Sequence, residues 1–362
     1  MLLIDLADKV KNKQKNTLKN KLSSLPVIML FLVLVITAAL VMSSLGRSVD
    51  QLEVQHRVLM DTAVEIRYLP PVKSGDHGLI EAVVEEMERL ETIFSRSISD
   101  SEISQINHLA GVAPAPVSSE VVYVIDRAIY YSLISGGAFD PTIAPLVDLW
   151  GFHGQAYRLP DPEEIRDALE HIDYTKVSID PGNAEIYLPE KNMALELGGI
   201  AKGYIVDRAL EILRDKGVES AFINAGGDIG LIGARPDGSS WRIGIRHPAD
   251  ENRVIAVIPA AGGAVVTSGN YERTFQVDGV SYHHLLDPAS GYPAGELSSV
   301  TIRAASALEA DALSTAVFIM GPEKGLQLVE ELPGVEGVFI TVDLEVLISS
   351  GLVDQVELNL KE

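Results

Sequence analysis

The chain has 362 residues, room for one large domain or two smaller ones, and carries 51 Asp and Glu against 29 Lys and Arg, a formal charge of −22. That acidity argues against nucleic acid as a partner, because phosphate backbones need clustered Lys and Arg. No cysteine is present, which excludes disulfides, thiolate metal sites, a cysteine nucleophile and a lipidated N-terminal cysteine.

Six lysines between Lys9 and Lys21 precede an almost unbroken apolar run from Pro26 to Met42. The run sits at the lower edge of the roughly 17–25 residues that span a bilayer. Lysines stay on the cytoplasmic side, so the pattern predicts a basic cytoplasmic segment (1–24), a transmembrane anchor or signal peptide (25–46) and an extracytoplasmic domain (47–362). Ser43, Ser44 and Gly46 after the run keep a cleaved signal peptide open as the alternative to an anchor.

Beyond a connector, Val64 to Leu69 reads as an entry strand ending at Pro70-Pro71. Apolar residues at helical spacing predict a helix over 77–94, and a second from Ser118 to Ser135 with Val122, Ile125, Ile129 and Leu133 as its buried stripe. A short helix is expected near 161–170, short strands at Ile186–Leu188 and Ala194-Leu195, and a helix from Ala201 to Lys216 ended by Gly217. Strands follow at Ser220–Asn224 and Ile229–Ile232, then alternating strands and turns from 241 to 303. Helices at 307–320 and 322–331 and two strands near 336–348 close the chain. The many hairpin-like turns argue against a purely parallel sheet, giving an α+β class of mixed layers.

Several segments carry groups suited to chemistry. Phe139 and Asp140 lie in a loop after Gly136-Gly137, where ring stacking and hydrogen bonding compete with a plain Asp cap. Glu196 to Tyr204 places two glycines and Lys202 at a helix start, a spacing that fits neither a Walker loop nor a dinucleotide fingerprint. Asn224 to Asp228 reads as a glycine-bearing turn between strands, and Thr267-Ser268-Gly269 as hydroxyls and amides that a hairpin connection explains equally well. His284 is placed on a strand with Asp287 three residues on as a possible orienting acid. Asp311 and Thr315, at i and i+4 of a helix, put a carboxylate and a hydroxyl on one face, a pairing suited to a hard cation such as Mg²⁺.

Taken in order, these segments resemble the ApbE family of FAD:protein FMN transferases. The match runs over about residues 55–350, through Met60-Asp61-Thr62, Asp100 to Ser104, Ala138 to Phe152, Leu197 to Tyr204, Asn224 to Asp228, Thr267 to Gly269, His284 to Gly291 and Ala310 to Thr315. The resemblance implies an ApbE-like fold and Mg²⁺-dependent transfer of FMN from FAD to a threonine of an acceptor flavoprotein, with release of AMP. It implies Asp311, Thr315 and the Gly199 carbonyl as metal ligands. Met60, Ser97, Ala138, Phe139, Asp140, Glu196, Lys202, Thr267 and Leu285 match FAD-contacting positions. His284 matches the base toward the acceptor threonine, with Asp311 the second residue tied to catalysis. Ser97 stands where many members carry tyrosine, Glu196 where Asp is usual, and Asp61 where Gly is common. The acceptor expected is a redox-complex subunit or a secreted flavoprotein, met outside the cytoplasm by a membrane-anchored enzyme. Rival readings are a Mg²⁺-dependent FAD pyrophosphatase and a flavin-binding protein without turnover.

Overall fold

The computed structural model describes residues 52–71, 78–154 and 156–359. In chain order the elements begin with β1 (Glu53–Leu59), β2 (Thr62–Tyr68), α1 (Leu79–Phe94), α2 (Glu102–His108), β3 (Ala115–Pro116), α3 (Ser119–Ile134), α4 (Ala144–Leu149) and α5 (Pro162–Leu169). Next come β4 (Ser178–Asp180), β5 (Glu185–Tyr187), α6 (Ala201–Asp215), β6 (Ala221–Ala225), β7 (Asp228–Ile232), β8 (Trp241–His247) and β9 (Asp250–Ala260). The last group is β10 (Gly263–Gly269), β11 (Thr274–Val277), β12 (Val280–His283), β13 (Leu297–Ala304), α7 (Ala307–Met320), α8 (Pro322–Glu331), β14 (Glu336–Thr341), β15 (Val346–Ile348) and β16 (Glu357–Leu358).

Eight strands form the main sheet in the order β1-β2-β6-β7-β10-β13-β14-β15, and every neighbouring pair runs antiparallel. Side-chain alternation along these strands sorts residues to two faces. Ile66, Ile223, Val266, Ile302 and Phe339 meet the helices through Val83, Met87, Ile125, Leu210, Leu313 and Val317. Their neighbours Phe222, Leu231, Val265, Val338 and Ile340 face the other way, onto Ile243, Ile245, Ile255 and Ile258 of the small β16-β9-β8 sheet. The central strands are therefore buried on both faces, with helices above and a second sheet below. A separate small core of Leu146, Trp150, Phe152, Ile165 and Leu286 joins α4 and α5 to the segment after β12.

The sequence reading and the structure agree on most helices. The helix over 307–320 and the one over 322–331 coincide with α7 and α8. The buried stripe of α3 differs: Val121, Val124, Ile125, Ala128 and Tyr131 point inward, while Leu133 is 67% exposed. That helix is apolar around much of its circumference, so its pattern does not define a single inward face. Ala194-Leu195 forms no strand; Ala194 makes an isolated bridge to Ile143. β1 falls where the sequence reads as a connector, because as an edge strand it is half exposed and its residues are mostly polar. The expected anchor at 25–46 lies outside the described residues; among those described, no helix is long and apolar enough to cross a membrane.

Helices α6 and α7 meet through Gly203, in the first turn of α6. A Cβ there would stand 2.2 Å from the Ala307 carbonyl oxygen and 2.5 Å from its carbon, a clash with backbone that no rotamer relieves. Gly203→Ala is therefore expected to destabilise by about 2 kcal/mol, in spite of the better helix propensity of alanine. Urea denaturation of the variant checks this, and unchanged stability would show that the two helices can slide apart freely.

Candidate active site

The antiparallel register gathers several chain reversals at one end of the main sheet. Leu59 pairs with Thr62 across the Met60-Asp61 turn, Ala225 pairs with Asp228 across Gly226-Gly227, and Asp228 pairs with Val266 near the end of β10. Both turns are two-residue hairpin loops with positive φ at both centres, as a type I′ turn requires. Gly226 and Gly227 adopt φ of 63° and 102° readily, whereas Met60 and Asp61 hold 54° and 55° against the usual preference of side-chain-bearing residues. A Cβ on Gly226 would lie 2.3 Å from Thr62 Oγ1, so the two loops touch only because that position is glycine.

Beside these loops opens a cavity of about 560 Å³, within the usual range for a small-molecule site. Met60 lines it from the first hairpin loop and Ser97, exposed, from the turn after α1. Ala138, Phe139 and Asp140 enter from the loop after α3, and Glu196, Gly199 and Lys202 from the turn into α6. Thr267 comes from the end of β10, His284 and Leu285 from the segment after β12, and Asp311 and Thr315 from α7. Every residue that the family resemblance implies for metal, FAD or catalysis thus borders one space, whereas Asp287 does not.

At its centre is a buried ionic group. Lys202 Nζ lies 3.0 Å from Asp228 Oδ1, and Asp311 Oδ2 accepts the Gly203 amide at 3.0 Å. Asp228 and Asp311 are 2% and 4% exposed, and their carboxyl groups approach within hydrogen-bonding reach of each other. Burial first, and the Asp228 charge second, hold the Asp311 carboxyl well above the usual carboxylate range while Lys202 pulls the other way. Burial opposes the Lys202 charge too, but the two carboxylates outweigh it and raise its pKa. Asp228 Oδ2 remains buried with no donor.

An orphaned carboxylate oxygen facing a second carboxyl is an environment that a hard cation relieves. Thr315 lies one helical turn beyond Asp311 and against Gly199, where a Cβ would stand 3.2 Å from both Thr315 Oγ1 and Phe139 Cε2. Ser268 Oγ lies 2.8 Å from Ser314 Oγ and 3.5 Å from Thr315 Oγ1, which keeps that wall rich in hydroxyls. Among the described residues no three His, Asp or Glu side chains gather into a cage. Carboxylate, hydroxyl and carbonyl oxygens with open positions left for water and substrate suit Mg²⁺, so the residues present fit that ion.

The other acids are committed to holding loops. Asp140 Oδ1 accepts the Thr142 amide at 2.8 Å and hydroxyl at 2.6 Å, and Oδ2 accepts the Tyr174 amide at 3.2 Å. Burial raises its pKa against those bonds. Pro141 does not open a helix as an Asp cap would suggest; α4 starts at Ala144, with its own proline next. Glu196 Oε1 accepts the Gly198 amide at 2.8 Å and Oε2 the Arg96 Nε at 2.8 Å, while Arg96 also bridges to Asp148 at 3.1 Å. The longer acid thus reaches both the turn and the arginine.

Three local readings need correction. Thr267-Ser268-Gly269 is no hairpin connection but the end of β10, with Thr267 Oγ1 2.8 Å from Thr301 Oγ1 on β13. His284 sits one residue past β12, its amide donating to the Arg273 carbonyl at 3.2 Å. Asp287 does not orient His284: its two oxygens accept the Ala289 and Ser290 amides at 2.9 and 3.2 Å and cap the turn that leads to Gly291. Asp228, Arg96, Arg273, Phe152 and His153 also line the cavity. Of these, the sequence showed Asp228 only as a turn residue, and a lone arginine such as Arg96 or Arg273 gives no local signal at all.

Known proteins share this arrangement of chain. The model described as the ApbE family matches residues 60–339. A protein named FAD:protein FMN transferase from Treponema pallidum is 36% identical over 295 residues, covering 77% of this chain and 82% of the relative. One of the same name from Klebsiella pneumoniae is 38% identical over 281 residues, covering 76% and 86%. The solved ApbE protein of Thermotoga maritima superposes with a TM-score of 0.79 at 37% identity, over 84% of this chain and all but 1% of its own (99% covered). The flavin transferase ApbE of Vibrio cholerae superposes with a TM-score of 0.76 at 30% identity, over 84% of this chain and 100% of its own. With a family match from the first hairpin loop to β14 and relatives this similar over most of their length, the chain belongs to the ApbE family.

Proposed function

We propose that this chain is a flavin transferase that moves FMN from FAD to a threonine of an acceptor protein and releases AMP, with Mg²⁺ as its ion. The observation that carries the reading is the meeting of the Lys202, Asp228 and Asp311 group, Thr315 and His284 in one cavity. Names borne by relatives, FAD:protein FMN transferase and flavin transferase ApbE, support the same reaction.

In the reaction the threonine oxygen attacks the phosphorus of the FMN half of FAD. A new P–O bond forms to the threonine, the pyrophosphate P–O bond to AMP breaks, and AMP leaves with that oxygen and its electron pair. The threonine proton goes to the His284 imidazole. Asp311, Thr315 and the Gly199 carbonyl would hold Mg²⁺, which supplies charge neutralisation at the pyrophosphate when bound. Lys202 adds a cation that its two carboxylate neighbours keep protonated. Phe139 packs against Gly199, and with Met60 offers apolar contact to a flavin ring that Ser97 cannot stack on.

His284 suits a proton acceptor in its charge state. Burial first, then the Arg273 charge, lowers its pKa from 6.5 to about 3, so the imidazole is neutral throughout the physiological range. The N-terminal lysines and apolar run support a catalytic domain held at the outer face of a membrane, where the acceptor is a redox-complex subunit or secreted flavoprotein.

Two outcomes follow. Incubating the full-length protein with FAD, Mg²⁺ and an acceptor domain bearing a candidate threonine should raise acceptor mass by one FMN residue, and EDTA should abolish the gain. Asp311→Ala should lower that transfer by more than about 100-fold, beyond the 10–100-fold typical of an outer-shell partner. Full activity in the variant removes the metal assignment, and FAD cleavage without mass gain favours the pyrophosphatase. The second outcome concerns pH. Because the folded value of about 3 lies below the ordinary 6.5, the neutral imidazole contributes stability above pH 6.5 that is lost as pH falls toward 3. Imidazole NMR shifts of His284 should stay those of the neutral ring at pH 5; titration near 6.5 contradicts the buried setting.

A further inference from the structure

An acidic cavity that takes an anionic dinucleotide needs cations that its own carboxylates have not already neutralised. Arg96, Lys202 and Arg273 are the Lys and Arg side chains that border it. Arg96 is spent on Glu196 and Asp148, with Nε at 2.8 Å from the first. Lys202 is paired to Asp228 at 3.0 Å. Arg273 differs: among the described residues its guanidinium makes no ion pair or hydrogen bond, although its neighbour Glu272 also borders the cavity.

The backbone beneath Arg273 is held firmly while the side chain is left open. Asn270 donates its amide to the Ser298 carbonyl at 3.0 Å, and the Arg273 carbonyl accepts the His284 amide at 3.2 Å. Arg246 lies over the Tyr271 ring at 4.1 Å and bridges to Glu272 at 2.9 Å. The acid that could have neutralised Arg273 is thereby drawn to a different arginine. The Arg273 charge is felt across the cavity, since it disfavours protonation of both His284 and Lys202.

We propose that Arg273 grips the phosphate of the FMN half of the substrate, on the His284 side of the cavity. A planar guanidinium carried on a pinned strand-to-strand segment can offer two parallel N–H donors to one phosphate. Set beside the base, it would screen the negative phosphoryl group from the oxygen of the incoming nucleophile. Lys202 is less free to do this, because it is already paired to Asp228 at 3.0 Å. The assignment rests on the flavin-transfer reading for the identity of its ligand.

The test is equilibrium binding of riboflavin, FMN and FAD to the full-length protein in Mg²⁺, followed by flavin fluorescence, for the native chain, Arg273→Gln and Arg273→Lys. A charge-assisted contact corresponds to about tenfold to a hundredfold in affinity. Arg273→Gln should weaken FMN and FAD by that factor and leave riboflavin, which lacks phosphate, within about twofold. Arg273→Lys should recover part of the loss, as a point charge without the fork. Unchanged FMN and FAD affinity in Arg273→Gln overturns the assignment while leaving flavin transfer intact. So does a riboflavin loss equal to the FAD loss, which marks a structural role. Failure of the native chain to bind FAD overturns the transfer reading itself, and the Arg273 assignment with it.

Discussion

A carboxylate as buried as Asp311 is costly unless charge and hydrogen bonds surround it, and the architecture around the site is arranged to meet that requirement. The Gly203 amide reaches Asp311 only because α6 and α7 approach to the point where no Cβ fits between them. Lys202 reaches Asp228 only because it is one residue before that glycine, in the same first turn. β7 in turn must begin with Asp228 immediately after a two-glycine loop, so that the acid is the first paired residue of its strand. Helix packing, hairpin geometry and charge balance are thus one constraint seen from three sides. Within the lysine and carboxylate group it leaves Asp228 Oδ2 without a donor, and across the same cavity the buried His284 Nδ1 is without a partner as well. A buried carboxylate oxygen without a donor is costly, and a hard cation is one group that would satisfy it.

The second requirement is geometric. An antiparallel sheet turns its chain back at each end, so one end can collect loops from strands far apart in sequence. Here the β1–β2 and β6–β7 turns and the end of β10 share that end, and the helix termini of α1, α3 and α6 come to the same place. The walls are rigid where the chemistry is proposed, because strands β7, β10 and β13 are buried on both faces. Met60 pays for its place with a left-handed backbone, a local strain of the kind that concentrates at functional sites.

How much of this was legible in the sequence depended on the length scale of each signal. Helix α7 could be bounded to the residue because Ser306 supplies an N-cap before a segment of strong helix formers and Gly321 ends it. The pairing of Asp311 with Thr315 was legible because i, i+4 spacing is local. β1 was not, since its half-exposed, polar residues gain their strand character from pairing with β2 rather than from any pattern of their own. The inward face of α3 was misjudged because apolar residues surround the helix, and only its neighbours decide which are buried. Asp287 beside His284 was misleading: proximity in sequence suggested a partnership, while the turn amides offered the carboxylate closer donors. Arg96 and Arg273 were invisible, for a lone arginine acquires meaning only from the acids that do or do not reach it.

That last contrast bears on how a strongly acidic protein can handle an acidic ligand. With a net charge of −22, long-range attraction cannot bring an anionic dinucleotide to this surface. Recognition must come at short range, where low dielectric strengthens a few well-placed charges and screening by salt is weak. The cavity satisfies that condition by tying up cations in different degrees. Arg96, fully paired, serves the loops; Lys202, paired but raised in pKa, keeps its charge next to an oxygen that lacks a donor; Arg273 is unpaired among the described residues. Asp311, Thr315 and the Gly199 carbonyl would hold a metal that supplies further positive charge to the same cavity. The neutral imidazole follows first from burial and then from the Arg273 charge. Arg273 adds to what burial does in keeping the neighbouring histidine unprotonated, and an anion bound at that guanidinium would offset its charge and return basicity to the histidine once the substrate is in place.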